Sequence, residues 1–131
     1  MQIHQSAEDY LETILMLSQR MGKVRSIDVV NELGFTKASV SIAMKKLREN
    51  GYIAVDGEGN LTLLEPGLEI AQRIYSRHQL LTHFFVQLGV DEQTAAEDAC
   101  KAEHILSEQT LKKIREYALL HDAEDSVQKS E

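Results

Sequence analysis

The spacing of hydrophobic residues along the first fifty positions predicts three helices. Between residues 7 and 21, apolar side chains recur at intervals of three and four residues, which is the period of a helix that buries one face. Gly22 follows this segment, and a shorter helix is predicted from its expected cap, Ser26, to Gly34. A third amphipathic segment runs from about Lys37 to Asn50, so a small helical core is expected.

Two β-prone runs follow the third helix. YIAV and LTLL flank the turn-forming stretch DGEGN at residues 56–60, which predicts a two-stranded hairpin. Further helices are expected after the only proline, Pro66, and one of them is expected to be capped by Ser107. They are predicted from about Gly67 to Leu88, from Asp91 to about Ile105 and from Glu108 to Leu120. The polar tail, residues 122–131, is expected to fray.

The order of these elements is that of a winged helix-turn-helix, in which the second helix of the helix-turn-helix enters the major groove of DNA. A protein-interaction module can have the same order. The sequence therefore predicts a mainly α protein, with a winged helix-turn-helix DNA-binding domain at residues 1–66 and a helical domain at residues 67–131.

The net charge and the distribution of charge along the chain lead to different expectations about DNA binding. A net charge of −7 argues against a nucleic-acid partner, since phosphate binding depends on basic surface. However, residues 37–49 contain four basic residues and one acid, whereas residues 91–131 contain eleven acids. The third helix is thus the basic part of an acidic protein.

This helix offers small side chains near its start for base edges and lysines further along for phosphates, although a solvated helix face would have the same composition. The hairpin turn, Gly57–Asn60, is expected near the DNA backbone. The candidate DNA-binding residues are Arg25, Thr36, Lys37, Ala38, Ser39, Ser41, Lys45 and Lys46.

Composition limits the class of protein. With 131 residues, 43% of them hydrophobic, the chain can build a core without covalent cross-links. It has one cysteine, no apolar run of membrane-spanning length and a polar start, MQIHQSAEDY. We therefore expect a cytoplasmic protein whose cysteine stays reduced.

The stretch ACKAEHILS suggests a metal site. Cys100, Glu103 and His104 are three and four residues apart on one predicted helix, so their side chains can converge. A thiolate, a carboxylate and an imidazole are all common metal ligands. A small core residue is the more ordinary role of a cysteine, and Cys100 could have that role instead.

Four separated stretches carry a family resemblance. SAEDYLETILML, ASVSIAMKKLRENGYI, YSRHQLLTHFF and DACKAEHILSEQTL resemble the diphtheria toxin repressor and manganese transport regulator family, over residues 6–120. The resemblance implies a metal-dependent repressor of metal homeostasis that binds a palindromic operator as a homodimer. Larger members continue into an SH3-like β-barrel domain, which this chain is expected to lack.

The resemblance also implies a ligand set, and the six positions are Asp9, Glu12, His78, Cys100, Glu103 and His104. A cysteine at position 100 is typical of the iron branch, whereas Asp9 is typical of the manganese branch. The expected activator is Fe(II), then Mn(II), and Zn(II) or Co(II) are expected to bind in vitro. The positions of the iron branch's ancillary site hold Thr82 and Ala96, which are neither acid nor imidazole.

The apolar face of residues 80–106 is the expected dimer interface, because a two-fold operator requires a two-fold protein. Its predicted members are Leu80, Leu81, Phe84, Phe85, Leu88 and Ile105.

Other interpretations remain open on the residues alone. Asp9 and Glu12 could favour the positive end of a helix, and His78 could be an ordinary half-exposed histidine. The absence of HExxH, glycine-rich and nucleophile-elbow motifs argues against an enzyme. The alternative functions are a metal-independent winged-helix regulator that responds to a small effector or a protein, which equilibrium dialysis with metals would separate, and an interaction domain that does not bind DNA.

Overall fold

The computed structural model describes residues 5–129, with side chains to residue 124. Its chain order confirms the mainly α class and the helix-turn-helix followed by a hairpin. The elements are α1 (Gln5–Met21), β1 (Val24–Arg25), α2 (Ser26–Leu33), α3 (Lys37–Glu49), β2 (Ile53–Val55), β3 (Asn60–Leu63), α4 (Glu65–Gln87), α5 (Glu92–Ala102) and α6 (Glu108–Lys129). The chain divides into two compact units between Arg73 and Ile74, within α4.

The first unit has a core built from the inward faces of its helices and strands. Burying these apolar side chains removes them from water, which is the main favourable term in folding. The buried residues include Leu11, Ile14 and Leu17 of α1, Val29 of α2, Val40, Met44 and Leu47 of α3, and Ile53 and Leu61 of the sheet.

The turn between α2 and α3 has the caps that fix a helix-turn-helix. Gly34 adopts φ 70° and donates its N–H to the Val30 carbonyl at 2.8 Å, which closes α2 as predicted. The Thr36 hydroxyl accepts the Ser39 N–H at 3.1 Å and so begins α3. The predicted cap Ser26 is instead the first residue of α2, because the Asp28 carboxylate accepts the Arg25 N–H at 2.8 Å.

The hairpin belongs to a three-stranded antiparallel sheet in the order β1-β3-β2. Strand β1 has only two residues, too few for a periodic pattern to predict it. In the hairpin turn, the backbone N–H and the amide of Asn60 donate to Asp56 and hold the pKa of that carboxyl below its usual range. The turn is thus fixed by hydrogen bonds of its own residues.

Helix α4 begins against the residue that precedes β2. The Leu64 N–H donates to the Tyr52 carbonyl at 3.0 Å, and a Cβ on Gly67 would clash with that same carbonyl oxygen. Pro66 lies in the first turn of α4, where a missing N–H costs little. The helix therefore starts slightly earlier than the predicted Gly67.

The second unit has a smaller core. Leu81, Ala99 and Leu111 are buried at its centre, and they come from α4, α5 and α6. Asp91 caps α5 by accepting the N–H groups of Gln93 and Thr94, and the Ser107 hydroxyl accepts the Thr110 N–H at 3.2 Å, as predicted for α6.

Two predicted helix ends are wrong. Helix α5 ends at Ala102, not near Ile105, because residues 103–105 form a turn. Helix α6 passes the predicted end at Leu120 and continues to Lys129, because its last turns have no glycine or proline to stop them. Positions 130 and 131 of the predicted frayed tail lie outside the described residues. Every described helix is too short or too polar to cross a membrane.

Candidate metal centre and DNA-binding surface

The carboxylate of Glu103 is the centre of a polar cluster inside the second unit. Its side chain is fully buried. Oε2 lies 2.9 Å from Nδ1 of His78, and Oε1 lies 3.4 Å from Nε2 of His104. Three of the predicted metal ligands are therefore adjacent in space.

Cys100, Glu103 and His104 do not lie on the one continuous helix that the sequence predicts. Cys100 lies within α5, Glu103 is the C-terminal cap, and His104 is in the following turn. The Glu103 N–H still donates to the Ala99 carbonyl at 2.9 Å, so the backbone keeps its helical course up to that residue. The turn then buries the His104 side chain, which is 1% exposed.

The cluster has the electrostatics of a cation site. A buried carboxylate loses its hydration and requires a positive or hydrogen-bonding partner to offset that cost. Within the described residues, Oε1 of Glu103 accepts no hydrogen bond. One carboxylate between two imidazoles supplies the oxygen and nitrogen donors that Mn(II), Fe(II) and Zn(II) accept, so these residues fit a divalent metal.

Arg77 holds the backbone of the same turn. Its Nη1 donates to the Glu103 carbonyl at 3.1 Å, and its Nη2 forms an ion pair with Glu108 at the start of α6. The Arg77 side chain is only 13% exposed. Sequence reasoning missed this contact, because a hydrogen bond to a backbone carbonyl leaves no pattern in the residue types.

The other three predicted ligands are Cys100 on α5 and Asp9 and Glu12 on α1. Cys100 is exposed on α5, which excludes its interpretation as a buried core residue. Glu12 is buried near the middle of α1, beyond the first turn, where the helix dipole acts on acids. The dipole interpretation therefore does not account for Glu12. Asp9 is half-buried, one turn earlier on the same helix.

His83 and His121 are outside the predicted ligand set, and both have contacts within the second unit. Nε2 of His83 lies 2.9 Å from the carboxylate of Asp122, and Gln87 donates to the same carboxylate at 2.9 Å. The ring of His121 lies 4.3 Å from the ring of Tyr117, measured between centroids. These contacts join α4 to α6 or lie within α6.

All eight candidate DNA-binding residues are exposed, and all belong to the first unit. Thr36 and Ser39 also have a structural role, because the Thr36 hydroxyl donates to the Ser39 hydroxyl at 2.9 Å. Arg25 lies against the hairpin turn, where its guanidinium is the nearest group to a Cβ placed on Gly59. The exposed basic candidates thus come from α3 and from Arg25 of β1, whereas the turn itself carries the acids Asp56 and Glu58.

The predicted interface residues differ in exposure. Leu81 lies in the core of its own unit, with Leu80 and Phe85 packed against it, so it can support an interface only indirectly. Leu88 and Ile105 are 60% and 76% exposed. Further exposed apolar side chains lie on α6, and sequence reasoning did not select them. They are Tyr117, Leu119 and Leu120.

Comparison with known proteins places both units in one family. Residues 2–61 match the N-terminal DNA-binding domain of the iron-dependent repressors, and residues 64–122 match their metal-binding and dimerisation domain. An uncharacterised HTH-type transcriptional regulator from Methanocaldococcus jannaschii is 36% identical over 113 residues, which cover 85% of this chain and 90% of that protein. The transcriptional regulator MntR of Lysinibacillus sphaericus is 32% identical, covering 96% and 91% of the two chains.

A solved structure of a similar protein is consistent with this family. A manganese-dependent transcriptional repressor in complex with manganese is 28% identical with a TM-score of 0.77, over 86% of this chain and 52% of that one. The chain thus spans about half the length of that solved protein.

The two matched domains are those of metal-dependent transcriptional regulators, and the relatives are regulators of transcription, not enzymes. The chain belongs to the iron-dependent repressor family, which includes the MntR regulators.

We predict that Arg77→Met lowers the free energy of unfolding by about 1.5–3 kcal/mol, because it removes a charged hydrogen bond from a nearly buried carbonyl. The ion pair with Glu108 adds little, since that glutamate is 80% exposed. Urea unfolding of the metal-free protein, followed by circular dichroism, measures the effect.

Arg115→Met is the matched control, because Arg115 is an exposed arginine of α6. Its expected effect is within about 0.5 kcal/mol. Equal effects of the two substitutions would show that Arg77 does not hold the turn.

Proposed function

We propose that the protein is a repressor activated by a divalent metal, which binds a palindromic operator as a homodimer and controls genes of metal homeostasis. The observation that carries this proposal is the fully buried Glu103 carboxylate between two imidazoles, in the same chain as an exposed basic α3. A metal-independent regulator would have no evident use for such a costly cluster.

The ligand set proposed is the one expected from the family resemblance. His78 and His104 are supported by their distances to the Glu103 carboxylate, and Cys100 lies on α5 three residues before Glu103. Glu12 is proposed because it is buried beyond the first turn of α1, where the helix dipole does not account for an acid. Asp9 is proposed with it, because both acids belong to α1. The bound ion would supply positive charge that offsets the repulsion among these carboxylates.

We infer that both Mn(II) and Fe(II) activate the regulator and that Cys100 sets the balance between them. Carboxylate oxygens suit both ions, whereas a soft thiolate favours Fe(II) and later metals. The relatives named MntR and the manganese complex weigh toward manganese, and the cysteine weighs toward iron. Zn(II) and Co(II) would bind in vitro, because affinity follows the general order of divalent metals.

The proposed ligands also explain how metal could control DNA binding. Asp9 and Glu12 are on α1, which packs in the core that supports α3. A bound ion would favour the form of the protein that binds the operator. Linkage then requires operator DNA to tighten metal binding by the same factor as metal tightens DNA binding.

The dimer is the first consequence to test. Sedimentation of the metal-loaded protein at micromolar concentration should give twice the chain mass of 14.8 kDa. Leu88→Glu should shift the equilibrium toward monomer, because it places a charge on an apolar surface. Ile27→Glu is the control, since Ile27 is an exposed apolar residue of the first unit. A wild-type monomer in the presence of metal would contradict the proposal.

The metal switch is tested with DNA selected for binding to the protein. Saturating Mn(II) or Fe(II) should raise operator affinity about 5- to 150-fold over excess chelator, as is usual for allosteric coupling. His78→Ala should abolish this ratio, whereas His83→Ala should keep it, because His83 contacts Asp122 and not Glu103. Equal operator affinities with chelator and with metal would favour the metal-independent alternative.

The role of Cys100 is tested by anaerobic titration of Fe(II) and Mn(II) against operator binding. Cys100→Glu should raise the Fe(II) concentration needed for half-maximal binding relative to the Mn(II) concentration, because it replaces a soft donor with a hard one. Folding should be unaffected, since Cys100 is exposed. An unchanged ratio would remove Cys100 from the ligand set.

A further inference from the structure

Ile42 is an apolar residue in an unusual place. It is 58% exposed, more than any other large hydrophobic side chain that is described in the first unit. A single exposed isoleucine needs no explanation on an ordinary surface. This one, however, lies on α3, the helix that carries the basic residues.

Helix geometry puts Ile42 at the middle of the outward face. Val40, Met44 and Leu47 mark the buried side of α3. Ile42 follows Ala38 by four residues and precedes Lys45 by three, so these three side chains form one row on the opposite side. Ile42 is therefore a poor candidate for the core of its own domain.

Two surface grooves flank this row. One, of about 310 Å³, is lined by Ser41, Ile42, Lys45 and Arg48 among others, and the other, of about 380 Å³, by Ser39, Ile42 and Lys46 among others. Ile42 lines both grooves and so forms the ridge between them. The cationic side chains stand on either side of that ridge.

We infer that Ile42 contacts the C5 methyl group of a thymine in each operator half-site, and this rests on the DNA binding proposed above. In the major groove, only thymine presents a methyl group, and apolar side chains recognise it by contact. The flanking lysines and arginine match the negative charge of the DNA backbone on both sides of the base edges. An apolar protein partner would not need this ring of cations.

The side chain suits this role. Isoleucine has no donor or acceptor, so it cannot pair with the polar edge of a base, and it gains only where apolar surface is removed from water. Its branched Cβ restricts rotation in a helix, so little side-chain entropy remains to be lost on contact.

The test replaces thymine by uracil, which removes the methyl group and nothing else. The metal-loaded full-length protein is first used to select its preferred duplex from a random pool. Each thymine is then replaced in turn. At one thymine of each half-site, wild-type affinity should fall about fourfold per half-site, the effect of exposing one buried methyl. Ile42→Ala should bind the thymine duplex with the same loss and show no further loss with uracil.

Two control variants separate this contact from general effects. Ile27→Ala removes an exposed isoleucine of α2 and should keep the thymine preference. Lys46→Ala should weaken all duplexes alike and reduce the salt dependence of binding by about one unit, again with the preference intact. Thermal unfolding confirms that each variant is folded.

Equal thymine-to-uracil ratios for the wild type and Ile42→Ala at every position would overturn the inference while leaving the proposed function intact. Selection that enriches no sequence in the presence of metal would overturn the proposed DNA binding and this inference with it.

Discussion

The burial of the Glu103 carboxylate is the constraint on which the second unit depends. A buried charge must be offset by groups held in place around it, and α4 supplies one partner for the carboxylate and, from the adjacent residue, one for the backbone of Glu103. His78 contacts the side chain of Glu103, and Arg77 contacts its backbone carbonyl. Because Arg77 also pairs with Glu108, the same residue connects the end of α5 with the beginning of α6. The apolar core of this unit is small, so these polar contacts have a large share in fixing the turn.

Much of the fold follows from local patterns in the sequence. The three- and four-residue spacing of apolar side chains predicts α1 and α3, and Gly34 predicts the end of α2, because each signal lies within a few residues of the element it determines. The end of α5 does not follow in this way. The residue types predict that the helix continues past Ala102, whereas the turn is held by Arg77, which is 26 residues from Glu103 in the chain. Strand β1 is similarly defined by its pairing with Leu61 and Asn60, not by its own two residues.

The candidate site also contains some residues that the sequence identifies and others that it does not. Family resemblance identified His78, Glu103 and His104, and the structure brings these three side chains together. The family resemblance did not identify Arg77, because its partner is a backbone carbonyl, a group that every residue has. Ile42 was missed for another reason: the spacing of the buried residues already places it on the outward face of α3, but the search for DNA contacts there selected only small, polar and basic side chains.

The position of Cys100 has a consequence for how such proteins diversify. Its side chain is exposed, so exchanging it for another donor would leave no cavity and would cost little stability. The buried residues Glu103 and Leu81 lack this freedom, because each is enclosed by its neighbours. If Cys100 is a ligand, one nucleotide substitution or a few in its codon could change the metal that a lineage senses without compensating mutations elsewhere. Metal preference would then be free to follow the chemistry of the habitat, while the scaffold around it stays the same.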